Sequence, residues 1–120
     1  MKIIKIYEYS NCGTCKKALK FLANHRYAVE RIDITTQPPT QSELEKMLTH
    51  YGGNFKALFN TAGRVYQDLN LKEKMSKMTA QEAIAMLAKN GKLIKRPFVL
   101  FEKSGVVGFS EERWKKVFAK

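Results

Sequence analysis

Residues 3–24 read IIKIYEYSNCGTCKKALKFLAN, and this stretch decides how the chain begins to fold. It opens with an apolar, β-branched run, which predicts a strand over residues 3–9. After a short loop, alanine and leucine residues recur at helical spacing, which predicts a helix over residues 14–24. Both cysteines of the chain, Cys12 and Cys15, lie at the junction between this strand and this helix.

A CxxC motif between a first strand and a first helix is the sequence form of a thioredoxin-type redox site. The peptide dipoles and free N–H groups at a helix N-terminus stabilise an anion, which favours the Cys12 thiolate. A thiolate attacks disulfides, and a cysteine three residues later can resolve the mixed disulfide that results. We therefore predict that Cys12 is the nucleophile and Cys15 the resolving cysteine, with Lys16 adding positive charge nearby.

Two other uses of the cysteines compete with this interpretation. A structural zinc ion needs about four ligands, and the further candidates His25 and His50 show no spacing that links them to the CxxC. Free cysteines also serve as small, inert core residues. We predict redox use of the pair and no metal.

Length and composition indicate one cytoplasmic domain. The 120 residues, of which 44% are hydrophobic, are enough for a single domain with a substantial core. No apolar run approaches the ~20 residues of a membrane span, and residues 1–5 do not begin a signal peptide. In the cytosol a lone CxxC is more often catalytic or redox-sensing than structural. We also expect a monomer that does not bind membranes.

The net charge of +11 has two explanations that the sequence leaves open. The basic residues are scattered, and no nucleic-acid-binding motif accompanies them, so we do not expect sequence-specific binding to nucleic acid. A solvated, lysine-rich surface accounts for the charge. Electrostatic steering toward an acidic protein partner or an anionic substrate is the less favoured alternative.

The rest of the chain predicts an α/β fold in one domain, residues 1–120, with a helical insertion over about residues 40–90. A second strand covers residues 28–34, and a helix starts at Thr40 or Ser42. The further predicted elements are a helical piece at 55–60, a helical turn at 66–71, an ambiguous segment at 72–77, a helix at 79–89 opened by a capping box, strands at 98–102 and 106–109, and a last helix after Ser110.

The Arg96-Pro97 dipeptide directly precedes the third predicted strand, where thioredoxin-type folds place a cis-proline facing the CxxC. X–Pro bonds are the only common cis peptides, although trans is the ordinary state of any one proline. We predict a cis bond here. The neighbouring arginine could meet an anion or a thiolate at the helix end.

Several motifs resemble the arsenate reductase (ArsC)/Spx/MgsR family. They are YSNCGTCKKA at 9–18, TAG at 61–63 followed by YQDLNL at 66–71, RPFV at 96–99 and GVVGF at 105–109. They occur in the family's order over essentially the whole chain. The resemblance implies a thioredoxin-like (glutaredoxin-type) mixed sheet with an inserted helical region, a role for the thiolate, and no metal.

The arsenate reductases of this family carry one nucleophilic cysteine in a loop resembling Cys-Gly-Thr-Ser-Arg, and three arginines that hold the oxyanion. Cys12, Gly13 and Thr14 match that loop, whereas Cys15 replaces its serine and Lys16 its arginine.

Of the three oxyanion-binding arginines, only Arg96 is matched, because Asn60 and Phe109 stand at the other two positions. The loss of two such arginines costs several kcal/mol of oxyanion binding, at about 1.5–3 kcal/mol per charged hydrogen bond. Arg64 and Lys56 lie near the first lost position and could partly substitute. The departures argue against arsenate as the substrate.

The CxxC itself resembles the Spx/MgsR branch, whose members regulate transcription by binding the C-terminal domain of the RNA polymerase α-subunit. In that branch the CxxC acts as a redox switch, and an arginine precedes the proline, as Arg96 does here. Gly52 or Gly53 falls near a glycine that the branch uses at the polymerase interface, although a glycine that ends a helix explains the same residues.

Together these observations predict an ArsC-family thiol–disulfide oxidoreductase, with an Spx/MgsR-type regulator that binds the polymerase α C-terminal domain as the alternative. Catalysis is assigned to Cys12, Cys15 and Arg96. No bound cofactor is expected, and the reductant is expected to be glutathione, glutaredoxin or thioredoxin. The substrate or partner is expected to contact Gly13, Thr14, Lys16, Asn60, Arg64 and Pro97.

Overall fold

The chain forms a four-stranded sheet with helices on both faces, in a computed structural model that describes residues 3–10, 12–101 and 103–118. Asn11 of the predicted active-site loop and Glu102, the last residue predicted for the third strand, lie outside the described residues. The strands are β1 (Ile3–Glu8), β2 (Ala28–Asp33), β3 (Phe98–Phe101) and β4 (Ser104–Val107). The helices are α1 (Gly13–Asn24), α2 (Gln41–His50), α3 (Arg64–Asp68), α4 (Leu71–Lys74), α5 (Ala80–Lys89) and α6 (Glu111–Phe118), with 3₁₀ turns at Phe55–Leu58, Met75–Lys77 and Gly91–Leu93.

The strands lie in the order β2-β1-β3-β4. β1 and β2 are parallel, with Ile3 opposite Ala28 and Glu8 opposite Asp33, so the chain crosses over through α1 between them. β3 is antiparallel to both β1 and β4. The described elements between β2 and β3 are all helical. This arrangement confirms the predicted mixed α/β sheet with an inserted helical region.

Two hydrophobic clusters, one on each face of the sheet, hold the layers together. Because successive side chains of a strand alternate between faces, β1 contributes to both clusters. Ile4 and Ile6 pack with α1 and α6, where Trp114 is 1% exposed, whereas Tyr7 and Phe98 pack against the inserted helices. The CxxC segment therefore follows a central strand of the sheet, which contributes to both clusters.

Two helices begin at capping boxes, in which the cap side chain and the N3 side chain each bond the other residue's backbone. At α2 the box pairs Thr40 with Glu43, which decides between the two predicted starts, Thr40 and Ser42. At α5 it pairs Thr79 with Glu82, as predicted.

Two segments differ from their predictions. The helical turn predicted at 66–71 is confirmed over residues 66–68, which belong to α3, but it is wrong as a continuous turn. Asn70 adopts a left-handed φ of 55° and separates α3 from α4. The strand predicted at 106–109 lies two residues earlier, because Ser104 already pairs with Phe101 in β3. At its other end Gly108, with φ 70°, turns the chain out of the sheet.

Local backbone geometry also bears on two glycines and a proline that the sequence singles out. Gly52 and Gly53 have φ values of 65° and 83°, and the Gly53 N–H donates to the Leu48 carbonyl, so helix termination accounts for this pair. The Arg96–Pro97 peptide bond is cis, which confirms the prediction.

Candidate functional site

Cys12 is the N-cap residue of α1. Its backbone is extended (φ −95°, ψ 114°), and its Sγ accepts a hydrogen bond from the Cys15 N–H at 3.3 Å. The Cys12 N–H in turn donates to the Tyr9 carbonyl at 3.0 Å, which holds the loop against the end of β1. A thiol in the cap position receives the free N–H groups of the first helical turn, the environment that favours a thiolate.

Cys15 lies one turn into α1 and is completely buried, whereas Cys12 is partly exposed. Both are free thiols. Burial raises the pKa of Cys15 to about 12, and its hydrogen bond to Cys12 adds to the increase. The buried thiol therefore keeps its proton at neutral pH and leaves the exposed thiol to react first.

The pKa of Cys12 is shifted in the opposite direction. Its partial burial acts to raise the pKa, but the hydrogen bonds donated by the Cys15 thiol and N–H outweigh that effect, with further help from the Arg96 charge and the Thr14 N–H. The net result is a pKa below the ordinary value. The two cysteines of one motif are thus divided into an acidic, accessible thiol and a protonated, buried one.

Arg96, the third predicted catalytic residue, lies near both Tyr9 and the Cys12 thiol. Its guanidinium carbon lies 4.9 Å from the centroid of the Tyr9 ring, in cation–π contact. Pro97 is buried, and its carbonyl accepts a hydrogen bond from the Gly108 N–H at 2.9 Å. Because Arg96 also lowers the pKa of Cys12, the structure brings together three of the predicted residues, Cys12, Cys15 and Arg96.

Glu8 is a feature of the site that the sequence analysis does not single out. It ends β1 and is 6% exposed, the one buried charged residue among those described. Its Oε1 accepts a hydrogen bond from Arg31 at 3.3 Å, and its charge contributes to the raised pKa of Cys15. A glutamate that follows the apolar residues Ile6 and Tyr7 at the end of the strand is the signal that could have identified it.

The second part of the site comes from distant segments of the chain. Two backbone hydrogen bonds join the segments: the Asn60 N–H donates to the Leu93 carbonyl at 2.7 Å, and the Lys95 N–H donates to the Leu58 carbonyl at 2.8 Å. Between these bonds Phe59 and Ile94 form an isolated antiparallel bridge. The contact brings the start of the TAG segment next to the residues before the cis-proline.

A cavity of about 290 Å³ opens beside this contact. The lining residues that bear on its chemistry are Tyr9, Asn60, Arg64, Asp68, Lys92 and Arg96. Asn60 and Arg64, predicted as binding residues, therefore lie in one cavity with Arg96. Lys92 was missed, since nothing in its local sequence distinguishes it from the other scattered lysines.

The predicted binding residues of the CxxC segment do not line this cavity. Gly13, Thr14 and Lys16 are exposed on the first turn of α1, beside Cys12. Phe109, which stands at a lost arginine position, packs in an aromatic cluster 5.1 Å from the Trp114 ring and 5.8 Å from the Phe21 ring. Phe109 is therefore committed to apolar packing and offers no positive charge to an anion.

Within residues 3–10, 12–101 and 103–118, no group of three or more His, Cys, Asp or Glu side chains is placed to hold a metal ion. The zinc interpretation of the CxxC thus finds no ligand set in that part of the chain. None of the described helices combines the length and apolar character needed to cross a bilayer.

Comparison with known proteins identifies the family. The model of the ArsC family matches residues 7–117, which include the CxxC, the TAG segment and the cis-proline. The chain belongs to the ArsC family. An ArsC family related protein from Bacteroides fragilis has a similar structure, with a TM-score of 0.89, 40% sequence identity and coverage of 95% of this chain and 96% of that one.

Two further relatives carry names that state different functions. The crystal structure of a possible arsenate reductase from Streptococcus mutans UA159 superposes with a TM-score of 0.83, at 35% identity over 93% of this chain and 97% of that one. The global transcriptional regulator Spx of Streptococcus mutans is 26% identical over 110 residues, 92% of this chain and 79% of the regulator. The thioredoxin-like fold that the sequence motifs imply is confirmed by these ArsC-family structures.

Proposed function

We propose that this ArsC-family protein is a thiol–disulfide oxidoreductase whose Cys12–Cys15 pair cycles between dithiol and disulfide. The Cys12 thiolate attacks one sulfur of a substrate disulfide, which forms a mixed disulfide and releases the other half as a thiolate. The Cys15 sulfur then loses its proton and attacks Cys12, which releases the second half. The substrate gains two electrons and becomes two thiols, and the protein becomes a disulfide. A thiol reductant, such as glutathione, glutaredoxin or thioredoxin, restores the dithiol.

One observation carries the proposal: the Cys12 sulfur is partly exposed, lies at the helix cap and has a lowered pKa, while Cys15 is fully buried with a raised one. The order of events follows from this difference. A thiolate is the attacking species in exchange, so the first attack belongs to Cys12. Cys15 is close enough to hydrogen-bond the Cys12 sulfur, which suits the second attack.

The test follows both half-reactions by mass spectrometry. Mild oxidation of the reduced protein is expected to remove two hydrogens from the peptide that contains Cys12 and Cys15. With a small disulfide as substrate, Cys15→Ser is expected to accumulate the mixed disulfide on Cys12, whereas the matched variant Cys12→Ser forms none. Mixed disulfide mainly on Cys15, or only intermolecular dimers from the wild type, would reject the proposal.

Arsenate reduction is the narrower activity to measure beside it. Asn60 provides no cation at one oxyanion position, and Phe109 is committed to the aromatic cluster at another. We expect feeble arsenate turnover with glutathione and glutaredoxin, and a gain in the Asn60→Arg variant. Brisk turnover by the wild type would instead identify an arsenate reductase.

A second candidate function is a redox-sensing regulator of the Spx/MgsR type, favoured by the Spx relatives that align over 92% of this chain. Its partner would be the C-terminal domain of the RNA polymerase α-subunit. The discriminating measurement is binding of that domain by the oxidised and the reduced protein at two salt concentrations. Tight binding that depends on the CxxC redox state and weakens with salt, without turnover of any disulfide, would favour the regulator.

A further inference from the structure

The cavity beside the CxxC is strongly cationic. Arg64, Lys92 and Arg96 line it, against a single carboxylate, Asp68. Within the described part of the chain, none of the three cations forms an ion pair with a carboxylate. Elsewhere in that part, exposed lysines of α6 pair with glutamates one turn away. Three cations that line one concave surface and make no ion pair with a carboxylate favour the binding of an anion there.

The cavity is connected to the reactive sulfur through two residues. Tyr9 lines the cavity, and its carbonyl accepts the hydrogen bond from the Cys12 N–H. Arg96 also lines it, stacks on the Tyr9 ring and lowers the pKa of Cys12. Cys12 does not itself line the cavity, so a group bonded to its sulfur reaches the cavity past the Arg96–Tyr9 pair.

The shape and the chemistry of the cavity limit the occupant. A volume of about 290 Å³ is at the small end of the range for ligand pockets, roughly 300–1,000 Å³. Arg64 and Arg96 present planar guanidinium groups, which bind carboxylates through paired hydrogen bonds. Asn60 also lines the cavity and adds a neutral amide that can donate to or accept from a peptide group.

We infer that this cavity binds the carboxylate-bearing portion of a small disulfide while its sulfur reacts with Cys12. The substrate class is thus a low-molecular-weight disulfide whose thiol half carries free carboxylates, and Arg64 and Lys92 determine the preference for it. The inference rests on the proposed function and adds a specificity site to it. The chemistry is that of the proposed exchange: the Cys12 thiolate forms the new S–S bond, and the other carboxylate-bearing thiolate leaves.

The experiment compares three disulfides under single-turnover conditions with the reduced full-length protein. Glutathione disulfide carries carboxylates, 2-hydroxyethyl disulfide is neutral, and cystamine is cationic. The measured quantity is the rate of each divided by the rate with the neutral disulfide, for the wild type and for Arg64→Gln and Lys92→Gln. Lys46→Gln serves as the matched control, because Lys46 is an exposed lysine of α2 outside the cavity.

Each cavity variant is expected to lower the glutathione disulfide ratio about two- to fivefold, the effect of one partly exposed ion pair. The cystamine ratio is expected to rise in the same variants, because a repelling charge has been removed. The control is expected to leave both ratios unchanged, and added salt is expected to reduce the wild-type preference.

Equal ratios in the wild type, the cavity variants and the control would overturn the inference and leave the oxidoreductase intact, since the neutral disulfide would still be reduced. The same decrease in the Lys46→Gln control would assign the preference to overall charge rather than to the cavity, and would also overturn it. Failure of the wild type to reduce any of the three disulfides would reject the proposed function together with the inference.

Discussion

The raised pKa of the buried Cys15 thiol predicts how the free energy of unfolding changes at alkaline pH. Cys15 is 0% exposed, and burial, the leading cause, raises its pKa from the ordinary 9.0 to about 12. In the unfolded chain this thiol ionises above pH 9, whereas in the folded protein it stays protonated. Ionisation therefore stabilises the unfolded state alone, and the free energy of unfolding falls as pH rises from 9 toward 12.

We compare two variants: the single variant Cys12→Ser, and a double variant that carries Cys12→Ser and Cys15→Ala. Serine at position 12 retains an oxygen that can accept the hydrogen bond from the residue 15 N–H, and its presence in both variants removes the titration of Cys12 from the comparison. At about one pH unit above 9, a single thiol that ionises only in the unfolded state destabilises the protein by about 1–2 kcal/mol.

The assay is urea unfolding of both variants under reducing conditions, from about pH 7.5 to about pH 10. The expected result is that the variant that retains Cys15 loses about 1–2 kcal/mol of unfolding free energy over this range relative to the variant that lacks it. The smaller alanine side chain shifts one curve by a constant amount, so the change with pH is the readout. Parallel curves would show that Cys15 ionises in the folded state as readily as in the unfolded one, which would refute the assignment of Cys15 as the protonated resolving thiol.

Two further predictions concern Arg96 and Gly91. Arg96→Ala is expected to move the midpoint of the pH dependence of Cys12 alkylation by iodoacetamide upward, because a positive charge that lowers the pKa of Cys12 is lost; an unchanged midpoint would remove Arg96 from the thiolate's environment. Gly91→Ala is expected to destabilise the fold by about 1–3 kcal/mol, because a Cβ there would lie 1.7 Å from the Ile34 carbonyl oxygen. The matched Gly13→Ala, with no atom within 4 Å of its Cβ, is expected to stabilise by up to about 1 kcal/mol; similar urea midpoints for the two variants would contradict this packing argument.

The sequence is most informative where structure depends on neighbours along the chain. The strand before Cys12, the helix after it and the capping box at Thr79 were all predictable, because each depends on residues within a few positions of one another. The prediction was wrong at Asn70, whose left-handed backbone splits the predicted turn into two helices. Asn is one of the few residues that adopt this conformation readily, but its presence alone does not require it.

The reactive motif, the strand and helix around it and the family were thus all predictable from local sequence. The surroundings of the thiolate were not, because they are assembled from distant segments of the chain. Asn60 and Arg96 are 36 positions apart and meet because two backbone hydrogen bonds join their segments, while burial against the sheet separates the pKa values of Cys15 and Cys12. These properties depend on desolvation and on long-range contacts, which appear only when the chain closes on itself.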